Sequence, residues 1–306
     1  MTQTVFIDGA AGTTGLEIAE RLAGRSEFAL IALPDAERKD AARRAEALNG
    51  ADFVVLCLPD AAAIEAVGMV TSPDVRIIDA STAHRVAPGW AYGFPELSAA
   101  QRDAIAGSKR VSNPGCYPTG FLALVAPLVA AGIIARDAQL SVNAVSGYSG
   151  GGKELIARFE ADEDIGFRSY GLNLAHKHVP EMTKGAGLVH PPLFAPAVVP
   201  VYRGMLVEVP LNFGAATADA AFEALAAHFD GSPLVSVRRA ADESELLLRK
   251  SDEATDRMEL MLYASPDGTQ IRLVARLDNL GKGASGACVQ NLNIMAGLPE
   301  TAGLRL

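Results

Sequence analysis

Up to Asp79, short apolar runs alternate with stretches of helical pattern, and this alternation restricts the fold more than any other feature of the sequence. Thr4-Val5-Phe6-Ile7 comes first and Phe28 to Leu33 second. Phe53-Val54-Val55-Leu56-Cys57-Leu58 is apolar throughout, and Val75-Arg76-Ile77-Ile78-Asp79 closes the series. Between them, Thr13 to Ala23 carries Leu16, Ile18, Ala19 and Leu22 at helical spacing, while Ala36 to Leu48 and Ala61 to Val70 are Ala-rich helical stretches. A strand with one wet face alternates apolar and polar residues, so unbroken apolar strands must be covered on both faces. Such strands separated by helices predict an α/β fold, a Rossmann-like doubly wound parallel sheet.

Beyond residue 120 the rhythm changes. Phe121 to Ala131 reads as a buried helix, Gln139 to Val145 as a strand, and Val198 to Phe213 as a strand-rich stretch broken at Arg203-Gly204. Met258 to Ala264 and Gln270 to Leu277 flank Ser265-Pro266-Asp267-Gly268, whose turn chemistry predicts a hairpin. Hairpin-linked strands imply a second, α+β domain with a mixed sheet. Gly283 to Ala296 is small and apolar at helical spacing and is expected to return to the first domain. The expected division is therefore 1–115 completed by 283–306, and 116–282. The chain's 306 residues suit two domains at about 150 each.

Charge and composition then narrow the partners. A net charge of −9 argues against nucleic acid, which needs a basic face. No run approaches the roughly 18 apolar residues of a membrane span. The opening residues show no basic leader followed by an apolar stretch, so a cytoplasmic protein is expected. Three widely spaced cysteines, Cys57, Cys116 and Cys288, suit a reducing compartment.

Asp8-Gly9-Ala10-Ala11-Gly12-Thr13-Thr14-Gly15 follows the first strand and opens the first helix. A glycine-rich turn there lets backbone approach a pyrophosphate, and the helix N-terminus offers amides and a positive dipole end. Gly9, Gly12, Thr13, Thr14 and Gly15 are the candidate cofactor residues. The GxxGxxG spacing is one residue wider than the commonest fingerprint. Asp35, twenty residues past Gly15, suits the ribose of NAD, whereas Arg38 and Lys39 suit the 2′-phosphate of NADP.

Cys116 lies in Asn113-Pro114-Gly115-Cys116-Tyr117-Pro118-Thr119-Gly120, at or just before a helix start, where amides and dipole stabilise a thiolate. A thiolate there can hold an acyl group as a thioester. Cys57 and Cys288 sit in apolar segments and read as small buried hydrophobes. Of five histidines, His176 and His178 stand together in Tyr170-Gly171-Leu172-Asn173-Leu174-Ala175-His176-Lys177-His178-Val179-Pro180-Glu181, and extended backbone would put them on one face. Either could serve a cysteine as acid and base, with Glu181 near if Pro180 starts a helix. The same groups could hold zinc, although no second Cys/His cluster accompanies them. His84, His190 and His228 have no comparable company. Arg85, past the strand ending at Asp79, and Arg203 are candidate anion ligands.

The glycine-rich start, Ser112 to Thr119, Ser146-Gly147-Tyr148-Ser149-Gly150-Gly151-Gly152, the H-x-H-x-x-E segment, Pro200-Val201-Tyr202-Arg203-Gly204-Met205 and Asp278-Asn279-Leu280-Gly281-Lys282-Gly283-Ala284 together resemble the N-acetyl-γ-glutamyl-phosphate reductase family. Tyr92-Gly93-Phe94-Pro95-Glu96-Leu97 and the modest length look like its shorter, type 2 form. The resemblance implies a step of arginine biosynthesis: NADPH reduces N-acetylglutamyl 5-phosphate to the semialdehyde, with phosphate released. It implies Cys116 as nucleophile and His178 as acid/base with His176 second. Tyr170, Glu181, Arg85, Arg203 and Ser149 would serve the substrate, and Arg38, Ser149, Gly150 and Asn279 the cofactor, with no metal. It further implies a homo-oligomer, dimer or tetramer. Asp79-Ala80-Ser81-Thr82-Ala83-His84-Arg85 departs from the D-L-S-A-D-F-R of longer members, although the arginine is retained. The alternatives are aspartate-semialdehyde dehydrogenase and a non-catalytic NADP-binding redox sensor that oxidises Cys116.

Overall fold

The computed structural model describes residues 2–212, 215–240 and 243–306, which form two compact units. The first comprises Met1–Pro114 and Ala284–Leu304, the second Gly115–Gly283 with Arg305–Leu306.

In the first unit the chain runs β1 (Gln3–Asp8), α1 (Thr13–Leu22), β2 (Phe28–Ile31), α2 (Ala41–Gly50), β3 (Phe53–Leu56), α3 (Asp60–Met69), β4 (Arg76–Asp79), β5 (Ala91–Tyr92), α4 (Ala99–Gly107) and β6 (Arg110–Ser112). The strands pair in parallel in the order β2-β1-β3-β4-β6-β5. Alternate residues of each strand point to opposite faces. Val54 and Leu56 of β3 join Phe6, Ile77, Leu48 and Ala63 on one side. Phe53 and Val55 join Val5, Ile7, Ile18 and Leu22 on the other. Both faces of β3 and β4 are apolar because both are covered, as the unbroken runs predict, whereas the edge strand β2 leaves Ala29 and Leu30 exposed.

Several boundaries differ from the sequence reading, the second strand ending at Ile31 rather than Leu33. The second helix starts at Ala41 rather than Ala36, because the Asp40 side chain accepts the Arg43 amide at 2.9 Å and caps it there. The residues before it form turns, with Glu37 N–H bonded to the Pro34 carbonyl. The third strand ends at Leu56, before Cys57 and Leu58.

The second unit holds α5 (Cys116–Ala130), β7 (Ser141–Gly147), α6 (Gly152–Ala161), β8 (Arg168–Ser169), α7 (Val179–Gly185), β9 (Leu193–Val199), β10 (Met205–Asn212), α8 (Ala215–His228), β11 (Val235–Arg239), β12 (Met258–Ala264) and β13 (Gln270–Leu277). Its sheet, β11-β12-β13-β10-β7-β9-β8, is mixed: β7 with β9 and β11 with β12 are parallel, the remaining pairs antiparallel. The predicted hairpin is β12–β13, closed by Gly268 at φ +69° donating to the Ser265 carbonyl. The strand-rich stretch holds β10 and only the last two residues of β9, which starts earlier, at Leu193; its expected last residue, Phe213, lies outside the described residues. Helix α5 starts five residues earlier than Phe121 and is apolar nearly all round, which fits a helix buried on every side. Gly120 lets it lie close on the sheet, since a Cβ there would stand 2.9 Å from Val207 and 3.3 Å from Ala275. No described helix is long and apolar enough to cross a membrane.

The final helix, α9 (Gly286–Met295), belongs to the first unit, as its assignment to Ala284–Leu304 requires. It begins later than Gly283 because residues 281–285 wind into a wider π turn. Cys288, Val289 and Leu292 of α9 enter the same core as Val5 and Phe53.

Candidate active site

The turn after β1 cannot carry side chains at two of its glycines. Gly9 adopts φ +91°, and a Cβ there would lie 2.3 Å from the Cys57 carbonyl oxygen. A Cβ on Gly15 would lie 2.5 Å from the Gly9 carbonyl oxygen. Gly12 donates to that carbonyl at 2.9 Å and caps α1 without a side-chain bond. Thr13, Thr14 and Gly15 thus open α1 beneath bare backbone, a cradle that fits a pyrophosphate. Asp35 and Arg38, rivals in the sequence reading, form an exposed ion pair at 2.6 Å. Sequence reasoning missed Arg44, which reaches from α2 to the buried carboxylate of Asp8 at 2.9 Å. Nothing in the spacing of the two residues signals that pair.

Past β4, the fully buried Asp79 accepts the Ser81 amide at 2.9 Å and hydroxyl at 2.7 Å, and bonds His84 Nδ1 at 2.6 Å. The His84 ring stacks on Trp90 at 4.2 Å. His84 therefore has company that the sequence reading denied it, because a loop of five residues folds back on its own strand end. Arg85 is fixed by the carbonyls of Asn113, through Nε, and Ala80, through Nη2, each at 3.0 Å.

In the second unit, Cys116 is the first residue of α5 and is partly exposed. Gly283 presses on it: a Cβ there would stand 2.9 Å from that of Cys116. Tyr117, Tyr170, His176, His178 and Phe194 form one ring cluster, with the two imidazoles 4.7 Å apart at 71°. His178 is not in extended backbone but caps α7 at φ −84°, ψ −13°; the turn itself brings the rings together. Its amide donates to His176 Nδ1 at 3.1 Å. The buried Glu181 carboxylate accepts the Gly115 amide at 2.7 Å. Among the described residues no group of three or more His, Cys, Asp or Glu is arranged to hold a metal ion.

Tyr170 donates to the Tyr117 hydroxyl at 3.3 Å, and Tyr117 to the Ala197 carbonyl at 3.1 Å. Burial pushes the Tyr170 phenol up to about 12 and Tyr117 well above the usual tyrosine value, and negative charge on Cys116 adds to both lifts. Burial likewise raises Cys57 to about 12 and Cys288 well above an ordinary thiol, which keeps both neutral; Cys288 lies in the core, and Cys57 packs against it half-buried. Ser149 accepts from Asn279 Nδ2 at 2.9 Å beneath Gly150, while Asn279 Oδ1 takes the Gly204 amide at 3.0 Å. Arg203, beside Gly204 at φ +103°, pairs with the buried Asp278 at 2.9 Å.

The semialdehyde dehydrogenase NAD-binding domain family matches residues 4–106, and the semialdehyde dehydrogenase dimerisation domain family matches residues 116–279. The chain is 49% identical to an N-acetyl-gamma-glutamyl-phosphate reductase of Trichormus variabilis, over 98% of each chain. It is 48% identical to N-acetyl-gamma-glutamyl-phosphate reductase 2 of Pseudomonas putida, over 99% of each. Among solved structures it resembles aspartate semialdehyde dehydrogenase II of Vibrio cholerae complexed with ASA, with a TM-score of 0.70 and 14% identity, covering 97% of this chain and 99% of that one. A probable aspartate-semialdehyde dehydrogenase from Pseudomonas aeruginosa gives a TM-score of 0.71 at 15% identity, covering 96% and 98%. At such identities the likeness to these structures is one of fold.

Proposed function

We propose, since the chain belongs to the N-acetyl-gamma-glutamyl-phosphate reductase family, that it reduces N-acetylglutamyl 5-phosphate to N-acetylglutamate 5-semialdehyde with NADPH, releasing phosphate. The observation that carries the chemistry is Cys116 at the first turn of α5, close to a cluster holding both histidine rings. His178 takes the thiol proton, and the Cys116 sulfur attacks the acyl carbon. The carbon–oxygen bond to phosphate breaks, leaving a thioester on Cys116. NADPH, when bound, supplies hydride to that thioester. The tetrahedral alkoxide on Cys116 re-forms a carbonyl as the aldehyde, the carbon–sulfur bond breaks, and His178 returns the proton to sulfur. Covalent capture keeps the acyl group in place for the second half of the reaction.

His178 is favoured over His176 by a tautomer argument. His176 Nδ1 accepts a backbone amide, so its proton resides on Nε2 and a second proton would meet a fixed donor. His176 then acts as a neutral donor towards substrate. Tyr170, whose phenol holds its proton, becomes a second donor when substrate draws its hydroxyl away from Tyr117. Arg85 and Arg203 bind the substrate's phosphate and carboxylate, each held in one orientation by its protein partners.

The dinucleotide binds the 1–115 region completed by 283–306, its pyrophosphate against Gly9, Gly12, Thr13, Thr14 and Gly15. Asp35 is paired with Arg38, which weakens it as a ribose acceptor, and Lys39 beside the pair favours the 2′-phosphate of NADP. Ser149, Gly150 and Asn279 serve the cofactor from the 116–282 region. That region also forms the contacts of a cytoplasmic homo-oligomer, in keeping with its match to a dimerisation domain.

The test is the reverse reaction, followed by NADPH absorbance with N-acetylglutamate 5-semialdehyde, phosphate and NADP. Aspartate semialdehyde and NAD run beside it. Phosphate-dependent reduction of NADP by the acetylated aldehyde is the expected result. Activity with aspartate semialdehyde alone would transfer the chain to the other enzyme, and silence with both would leave only a binding protein.

A further inference from the structure

We infer that Glu181 is a positioning residue for the nucleophile, acting through the length of its side chain rather than as a charge that binds substrate. The inference rests on Cys116 being the nucleophile. Glu181 accepts the Gly115 amide at 2.7 Å with both groups buried. Gly115 is the cap of α5, and Cys116 is the next residue. Glu181 lies in the first turn of α7, whose own cap is His178. One hydrogen bond therefore joins the start of the helix bearing the sulfur to the start of the helix bearing the imidazole.

A second attachment fixes the direction of the two helices. Gly185, at the end of α7, fits against Leu122 of α5, where a Cβ would stand 2.9 Å from the Leu122 methyl groups. Two points of attachment, Glu181 to Gly115 and Gly185 to Leu122, set α7 in register along α5. The rings of His178 and of Tyr117, the residue after Cys116, stand 5.9 Å apart as a consequence. Pro180 supports the same geometry, since it pre-forms the first turn of α7 without needing an amide partner.

Charge does not explain the carboxylate. A negative group next to a nucleophilic thiol works against thiolate formation. Reach does explain it: the side chain spans from α7 to a main-chain amide that a shorter acid would not meet.

Glu181→Gln and Glu181→Asp separate the two possibilities, because glutamine keeps the reach without the charge and aspartate keeps the charge without the reach. Positioning predicts that Glu181→Gln stays within about 5-fold of the parent kcat, a neutral acceptor still holding the amide. It predicts that Glu181→Asp loses about 30- to 100-fold in kcat, with KM within about 2-fold, as for a nucleophile displaced by about 1 Å. Alkylation of Cys116 by iodoacetamide, read by mass spectrometry of its peptide, follows the same order and needs no substrate. That arm judges the positioning role even if the enzyme proves to use a different aldehyde. Glu181→Asp equal to or better than Glu181→Gln in kcat and alkylation, or a raised KM as the main effect in Glu181→Gln, would overturn the inference in favour of a substrate-binding charge.

Discussion

Gly15→Ala places a methyl group where the turn after β1 has no space, and the size of the effect follows from two distances. The new Cβ would lie 2.5 Å from the Gly9 carbonyl oxygen and 2.8 Å from the Ala10 Cα. Restoring ordinary contact moves that backbone by about 1 Å. Overpacking of this kind costs about 1–3 kcal/mol. Alanine in place of glycine within a helix returns about 1 kcal/mol. The net loss of roughly 0–2 kcal/mol leaves a domain of ordinary stability folded. Cofactor affinity suffers more, because a displaced turn misaligns amides meant for phosphate. Losing one or two charge-assisted hydrogen bonds costs about 3 kcal/mol, roughly a hundredfold in Kd. Titration of NADPH fluorescence measures the affinity and thermal melting the fold. Gly68→Ala in α3, with open space around it, is the control and should melt slightly higher with affinity unchanged. If Gly15→Ala binds NADPH as tightly as the parent, the pyrophosphate does not lie on this turn and the cradle argument fails.

The remaining expectations concern the nucleophile, its neighbours and two buried ionisable groups. Cys116→Ser should abolish turnover in the coupled NADPH assay while changing cofactor affinity by no more than about 3-fold; surviving turnover would remove the thioester. His178→Asn should lose more kcat than His176→Asn, and the opposite order would exchange their roles. Gly283→Ala should lower kcat by about tenfold or more, because its methyl group would stand 2.9 Å from the Cys116 Cβ and displace the sulfur; kinetics like the parent's would show that the turn yields freely. The Tyr170 phenol and the Cys57 thiol rise from 10.0 and 9.0 to about 12 on folding. Both groups hold protons more tightly folded than unfolded, so their share of stability is complete below about pH 9 and is lost as pH rises towards about 12. A melting temperature that stays level across that window would contradict the burial assigned to them.

The first sheet was legible because strands buried on two faces leave unbroken apolar runs, a pattern that few other environments tolerate. Strands too short to form a run, Ala91–Tyr92 and Arg110–Ser112, left no such trace. The early start expected for α2 failed for a local reason: good helix formers, Ala36 to Lys39, continue upstream, and only the Asp40 cap fixes where the helix begins. In the site, Cys116 and the histidine pair stood out through their immediate neighbours. Their connections did not, since Gly115 and Glu181, Arg203 and Asp278, and Ser149 and Asn279 meet across 66, 75 and 130 residues. Periodicity carries no information about such pairings. His84 was different, because its partner Asp79 is only five residues away; an acid at a strand end followed by a tight loop was the available signal.

The placement of α9 bears on how the molecule can be made. Residues 284–304 complete a core whose other members are laid down before Pro114. On the ribosome, the earlier half of the Rossmann-like unit must wait, with the surface meant for Cys288, Val289 and Leu292 exposed, while the entire second unit is synthesised. Expression of residues 1–115 alone would yield a sheet lacking one of its covering helices, prone to self-association. A fusion that appends the α9 segment directly to that fragment is the shortest chain from which a soluble cofactor-binding half could be expected.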